Sequence, residues 1–88
     1  MSLFWTRARL DEFGDRVRIS LTEELKARNA SSLVASILQT SGNLNPVVTI
    51  KTKQGTKSFQ IDHSPENVTA SDVEMRALVA GKLDSIGI

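Results

Sequence analysis

The segment from Pro46 to Asp62, PVVTIKTKQGTKSFQID, carries the clearest two-residue alternation in the chain. Val48 and Ile50 alternate with Thr49 and Lys51, and Phe59 and Ile61 alternate with Ser58 and Gln60. That period marks strands with one buried face. Gln54-Gly55 lies midway, and glycine accepts the positive φ of a tight turn. An even-length loop there pairs Ile50 with Phe59 and Val48 with Ile61, and gathers all four on one face. An odd loop would set Ile50 against Ser58. The expectation is a β-hairpin whose apolar face the rest of the chain covers.

Between Arg7 and Arg28 two patterns overlap. Arg16 to Leu21 alternates like a strand, with Ser20 to Glu23 as a capping box that would open a helix after it. Leu10, Phe13, Val17, Leu21 and Leu25 instead recur every three or four residues, which is one stripe of a helix. The helix must absorb Gly14, at about 1 kcal/mol, and leaves Ile19 on the wrong side. Five in-phase positions favour the helix over the strand.

Ala30, Leu33, Val34, Ile37 and Leu38 form a second stripe, about 150° from the first on a continuous helix. A break near Asn29-Ala30-Ser31, with Asn29 or Ser31 capping a second helix that stops at Gly42, reconciles the two. After the hairpin, Ser64-Pro65-Glu66 opens a helical turn. A longer helix is expected over Ala70–Ser85, started at Thr69 with Asp72 in its first turn and ended by Gly87. Its stripe is Met75, Leu78, Val79, Leu83 and Ile86. Val73, Ala77 and Ala80 lie on its other side, as ordinary helix surface or as a place for close approach by a partner.

These elements predict one α+β domain over residues 1–88: a small antiparallel sheet centred on the hairpin and packed against two or three helices. With 88 residues the chain buries only roughly 60–65% of its unfolded surface, so stability is modest or shared with a partner. A lone hairpin also leaves unpaired N–H and C=O groups along both edges. Strand addition from another copy or another subunit is expected to satisfy them. Residues 1–6 fit no periodic pattern. Phe4 and Trp5 within them are candidates either for tucking onto the core or for docking into a partner.

Charge divides unevenly. Residues 1–60 carry nine Lys/Arg against five Asp/Glu, and residues 61–88 carry two against five. That split suits head-to-tail contact between copies as well as an ordinary solvated surface. Lys51, Lys53 and Lys57 cluster on the hairpin, and Arg7, Arg9, Arg16 and Arg18 form a second basic stretch. Arg16, Arg18, Lys51, Lys53 and Lys57 are therefore the candidate residues for the alternative reading, a small basic nucleic-acid-binding protein. The hairpin's polar face lacks the aromatics that stack bases, which weighs against it.

Catalytic chemistry has little to stand on. His63 is the single histidine, and Asp62 and Ser64 beside it are sequence neighbours rather than groups converging in space. It reads as a turn or surface histidine. Neither a phosphate-binding glycine loop nor a metal-ligand spacing is recognisable, and no cofactor is expected. The chain has no cysteine, which suits a reducing compartment. MSLFWTRARLDE lacks the apolar core of a secretory signal, and no apolar run approaches the ~20 residues of a membrane span. A cytoplasmic location, or a particle assembled there, is expected.

Leu21 to Ile37, LTEELKARNASSLVASI, follows a long amphipathic segment and precedes β structure. This order resembles phage tail-completion and neck proteins, in which a long helix, a small-residue stretch and a run like SLxxSI lead into strands. The likeness spans roughly Leu10 to Lys51. Ser32 stands where that family often carries glycine, and its later glycine and aromatic positions have no counterpart. The resemblance implies a structural subunit of a ring at the head–tail connection or the tail end. The expected function is a non-catalytic assembly subunit acting through protein–protein contacts and self-association.

Overall fold

A computed structural model describes residues 7–40 and 43–88, with side chains placed for 11–39 and 45–88. The long helix forms as the four-residue spacing predicts: α1 spans Arg7–Ala27, and Phe13, Val17, Leu21 and Leu25 are buried along it. Ile19 is exposed, as its place off the stripe requires. Gly14 lies against the Gln39 side chain, whose terminal oxygen would come within 2.9 Å of a Cβ there and could swing aside for one. Asn29 ends the helix in the left-handed region, at φ 57°. The Ala30 N–H donates to the Leu25 carbonyl at 2.7 Å and the Asn29 N–H to the Lys26 carbonyl at 3.2 Å, the two bonds of a Schellman cap.

No second helix comes after that cap. The stripe expected to be helical is β1, Val34–Thr40. Leu33, Val34, Ile37 and Leu38 satisfy a helical spacing, but they also suit a strand with apolar residues on both faces, which shows no alternation. Pairing with the hairpin decides between the two. β1, β2 (Asn43–Thr52) and β3 (Gly55–Gln60) form one antiparallel sheet in the order β1-β2-β3. The outer edge of β2, expected to await a partner, is therefore covered by the chain's own β1. Gly42, the expected helix stop, lies outside the described residues.

The hairpin register differs by two residues from the expected one. Val48 faces Phe59 and Ile50 faces Lys57, with Thr52 opposite Gly55 around a Lys53-Gln54 turn. Thr52 sets that turn: its hydroxyl accepts from the Gln54 N–H at 3.2 Å and donates to the Gly55 carbonyl at 2.7 Å. Gly55 takes the positive φ, 120°, just after the turn. A shift of two preserves the faces, so Val48, Ile50, Phe59 and Ile61 still share one side. The ladder runs past β3, the Ile61 N–H donating to the Pro46 carbonyl at 3.0 Å.

The helix α2, Pro65–Val68, begins at Ser64 with Pro65 at its first position, as expected. The helix α3, Asp72–Ser85, starts at Ser71 rather than Thr69. Ser71 and Glu74 complete a reciprocal capping box, a stronger start than an acid in the first turn alone. A second Schellman cap closes α3, with Gly87 at φ 80° and the Ile88 N–H donating to the Leu83 carbonyl. Met75, Val79 and Leu83 turn inward. They join the α1 stripe, Val48, Ile50 and Ile61 in a single core between the two long helices and one face of the sheet.

Candidate interaction surface

β1 is an edge strand. Among the described residues, no strand pairs with it on the side away from β2. Its register places Ala35 opposite Ile50 and Ile37 opposite Val48, in the core-facing row. Val34, Ser36 and Leu38 stand opposite Lys51, Thr49 and Val47 on the outer face. That outer face has no covering layer among the described residues: Val34 is 64% exposed and Leu38 65%. The core-facing row is also incompletely covered, because α1 packs mainly against α3 and touches β1 only in part. A groove of about 420 Å³ remains there, lined by Leu21, Leu25, Arg18 and Thr22 of α1 and, from the other side, by Leu33, Ala35 and Ile37 with Ser31 and Ser36. Among the described residues, both faces of this edge strand thus present apolar side chains that no layer fully covers.

Neither charge nor proline guards this strand. Proteins commonly protect edges with a charged side chain, a proline or a covering loop. Ser31 to Ile50 contains no Asp, Glu, Lys, Arg or His, and its one proline, Pro46, lies on the central strand. The regular pairing of β1 with β2 ends at an irregularity between Leu38 and Thr40. The flat part of the edge is therefore the five residues Val34-Ala35-Ser36-Ile37-Leu38.

The residues singled out for nucleic-acid binding are not brought together. Arg16 is turned into the fold: it donates to the Val68 carbonyl at 3.0 Å and to the Ala70 carbonyl, and lies 3.5 Å from Asp72. Lys57, in the core-facing row, donates from Nζ to the Ile86 carbonyl at 2.8 Å, where the end of α3 favours a cation. Arg18 pairs with Asp15 on the exposed side of α1. Lys51 and Lys53 are exposed near the hairpin turn. The side chains of Arg7 and Arg9 lie outside the described residues, as do Phe4 and Trp5.

The small-residue strip on α3 divides as well. Val73 is 80% exposed and Ala77 is exposed, whereas Ala80 is half-buried and its carbonyl accepts from Arg28 at 3.2 Å. Val73 and Ile19 line a shallow cleft of about 300 Å³ between α1 and α3, rimmed by Arg16, Glu23, Asp72 and Arg76.

Two polar features tie separate elements of the fold together. Glu24 accepts from Arg76 at 2.9 Å and from Arg28 at 3.1 Å, and Arg28 reaches Asp84 at 2.7 Å. Hydrogen bonds from Arg76 and then Arg28 hold the Glu24 carboxyl below the usual carboxylate range. His63 lies in the loop between β3 and α2, neither in a turn nor on the surface. It is half-buried, its ring edge-on to Phe13 with centroids 5.0 Å apart, and its backbone N–H donates to Asn45 Oδ1 at 2.8 Å.

Reading β1 as a helix hid the edge strand from the sequence. The signal that pointed to it was the charge-free run Ser31–Ile50, longer than a solvated helix would tolerate. Comparison with family models, curated proteins and solved structures found no match. Among the described residues, no helix is long and apolar enough to cross a membrane.

Proposed function

We propose that this chain is a non-catalytic assembly subunit, acting through protein–protein contacts and association with copies of itself, in the cytoplasm or in a particle assembled there. The observation that carries the reading is the β1 edge: seven residues of strand, uncharged, with open apolar side chains on both faces. A monomer holding such an edge in water meets the conditions for strand addition. The sequence resemblance to phage tail-completion and neck proteins supplies a setting that needs such a subunit. Nucleic-acid binding is less well supported, since Arg16 and Lys57 are engaged with carbonyls of their own fold.

Sedimentation over a range of protein concentrations tests the reading. The expected result is a mass above the 9.6 kDa of one chain, rising with concentration. A monomer at every concentration overturns it. Filter binding to DNA and RNA at two salt concentrations tests the alternative, which requires affinity that falls steeply with salt.

A further inference from the structure

The occupant of the β1 edge is specified by the edge itself. The flat run Val34-Ala35-Ser36-Ile37-Leu38 is symmetric in polarity about Ser36, with apolar residues at the two positions on either side. Resting on the self-association reading, we infer that β1 pairs antiparallel with β1 of a second copy across a two-fold axis at Ser36. Two three-stranded sheets then join into one continuous sheet.

In that register Val34 meets Leu38 of the second copy and Leu38 meets its Val34, so the two exposed large apolar side chains of the strand cover each other on the outer face. On the inner face Ala35 meets Ile37, small against large, twice. Serine meets serine on the axis. A slip of one residue would oppose outer-face and inner-face positions, and centring on Ile37 would set Ser36 against Leu38.

Charge selects a second copy over an unrelated strand. In a two-fold contact each side chain near the axis meets its own kind, so a charged edge would repel itself. The run Ser31–Ile50 has no charge to repel. On the sheet the nearest cation, Lys51, stands beside Val34, and the two-fold sends its mate to the opposite corner, while Arg18 on the α1 wall of the groove is paired with Asp15.

The grooves supply an independent reason. A two-fold axis perpendicular to the sheet keeps both copies of α1 on the same side. The groove between α1 and β1 in each copy then opens onto the other across the seam. Leu33, Ala35 and Ile37 of both copies line one shared space instead of two separate openings to water.

Charge reversal on the axis is the test. Ser36 is exposed, so at concentrations where the parent is dissociated Ser36→Lys and Ser36→Glu should each keep its melting temperature and circular dichroism. Each alone is expected to weaken self-association by about ten-fold or more, because like charges meet on the axis. An equimolar mixture is expected to restore the dimer, lysine against glutamate. Ser58→Lys, on the other edge strand, should leave the dimer unchanged. If both Ser36 variants associate like the parent, or the mixture gives no rescue, or Ser58→Lys alone dissociates the protein, the two-fold at Ser36 is overturned while self-association stands. A parent that is monomeric throughout overturns both.

Discussion

Arg76 on α3 donates from Nε to Oε2 of Glu24 on α1 at 2.9 Å, joining residues 52 positions apart. Glu24 also accepts from Arg28, so one carboxylate ties the end of α1 to the face of α3. Its folded-state pKa is depressed by those two guanidinium groups. A depressed carboxyl contributes stability that is present above its unfolded pKa, about 4.3, and is lost as pH falls through the folded value. Glu74, held down first by the Ser71 backbone N–H and then by its hydroxyl, acts in the same direction.

The melting temperature should therefore drop as pH is lowered through and below about 4.3. Glu24→Gln should melt below the parent at pH 7, and the gap should close toward acid. A gap unchanged between pH 7 and pH 3 would remove Glu24 from the acid response.

The phase of α1 was legible because Phe13, Val17, Leu21 and Leu25 repeat at four residues and a single face is buried. The faces of the hairpin were legible for the same kind of reason, yet its register was not. The register depends on the Thr52 hydroxyl closing a Lys53-Gln54 turn, and a slip of two residues leaves the alternation unchanged. β1 was misread because a strand apolar on both faces has no period of two to display. The roles of Arg16 and Lys57 were hidden differently. Their carbonyl acceptors are 29 or more residues away in sequence, at helix ends placed only by the tertiary fold.

Ile61→Ala should test the core directly. Ile61 is fully buried in the core shared by both long helices and β2, and truncation costs about 2–5 kcal/mol through lost burial and the cavity left behind. A chain of this size is stabilised by roughly 4–13 kcal/mol in all. Denaturant unfolding should show a large fall in midpoint. A change below about 1 kcal/mol would contradict its placement.

Asn29 separates backbone conformation from side-chain contact. At φ 57° a residue with a Cβ is strained by about 1–2 kcal/mol, which asparagine tolerates better than alanine and glycine does not meet. Asn29→Gly should equal or exceed the parent in stability, and Asn29→Ala should fall below it by about 1 kcal/mol. If alanine and glycine behave alike in thermal melts, α1 does not end in that cap.

His63→Ala should lower stability by about 0.5–1.5 kcal/mol through loss of the edge-on contact with Phe13, without affecting assembly. Sedimentation of the folded variant should match the parent. A variant that keeps its melting temperature but no longer associates would give His63 a role at a contact surface instead.

The outer face of β1 separates stability from association. Leu38 is 65% exposed and contributes little to the core, and threonine supplies a β-branched side chain that suits a strand. At concentrations where the parent is dissociated, Leu38→Thr should therefore melt within about 0.5 kcal/mol of it. Association should respond much more strongly. Full burial of a leucine side chain is worth about 1.5–3 kcal/mol, and a two-fold contact loses that burial twice. With about 1.4 kcal/mol per ten-fold in affinity, even partial burial predicts a Kd at least roughly ten-fold higher. Sedimentation and thermal melts on the same preparation give both numbers. An unchanged Kd would mean that Leu38 stays in water in the assembled state, and that the outer face of β1 is no part of the contact.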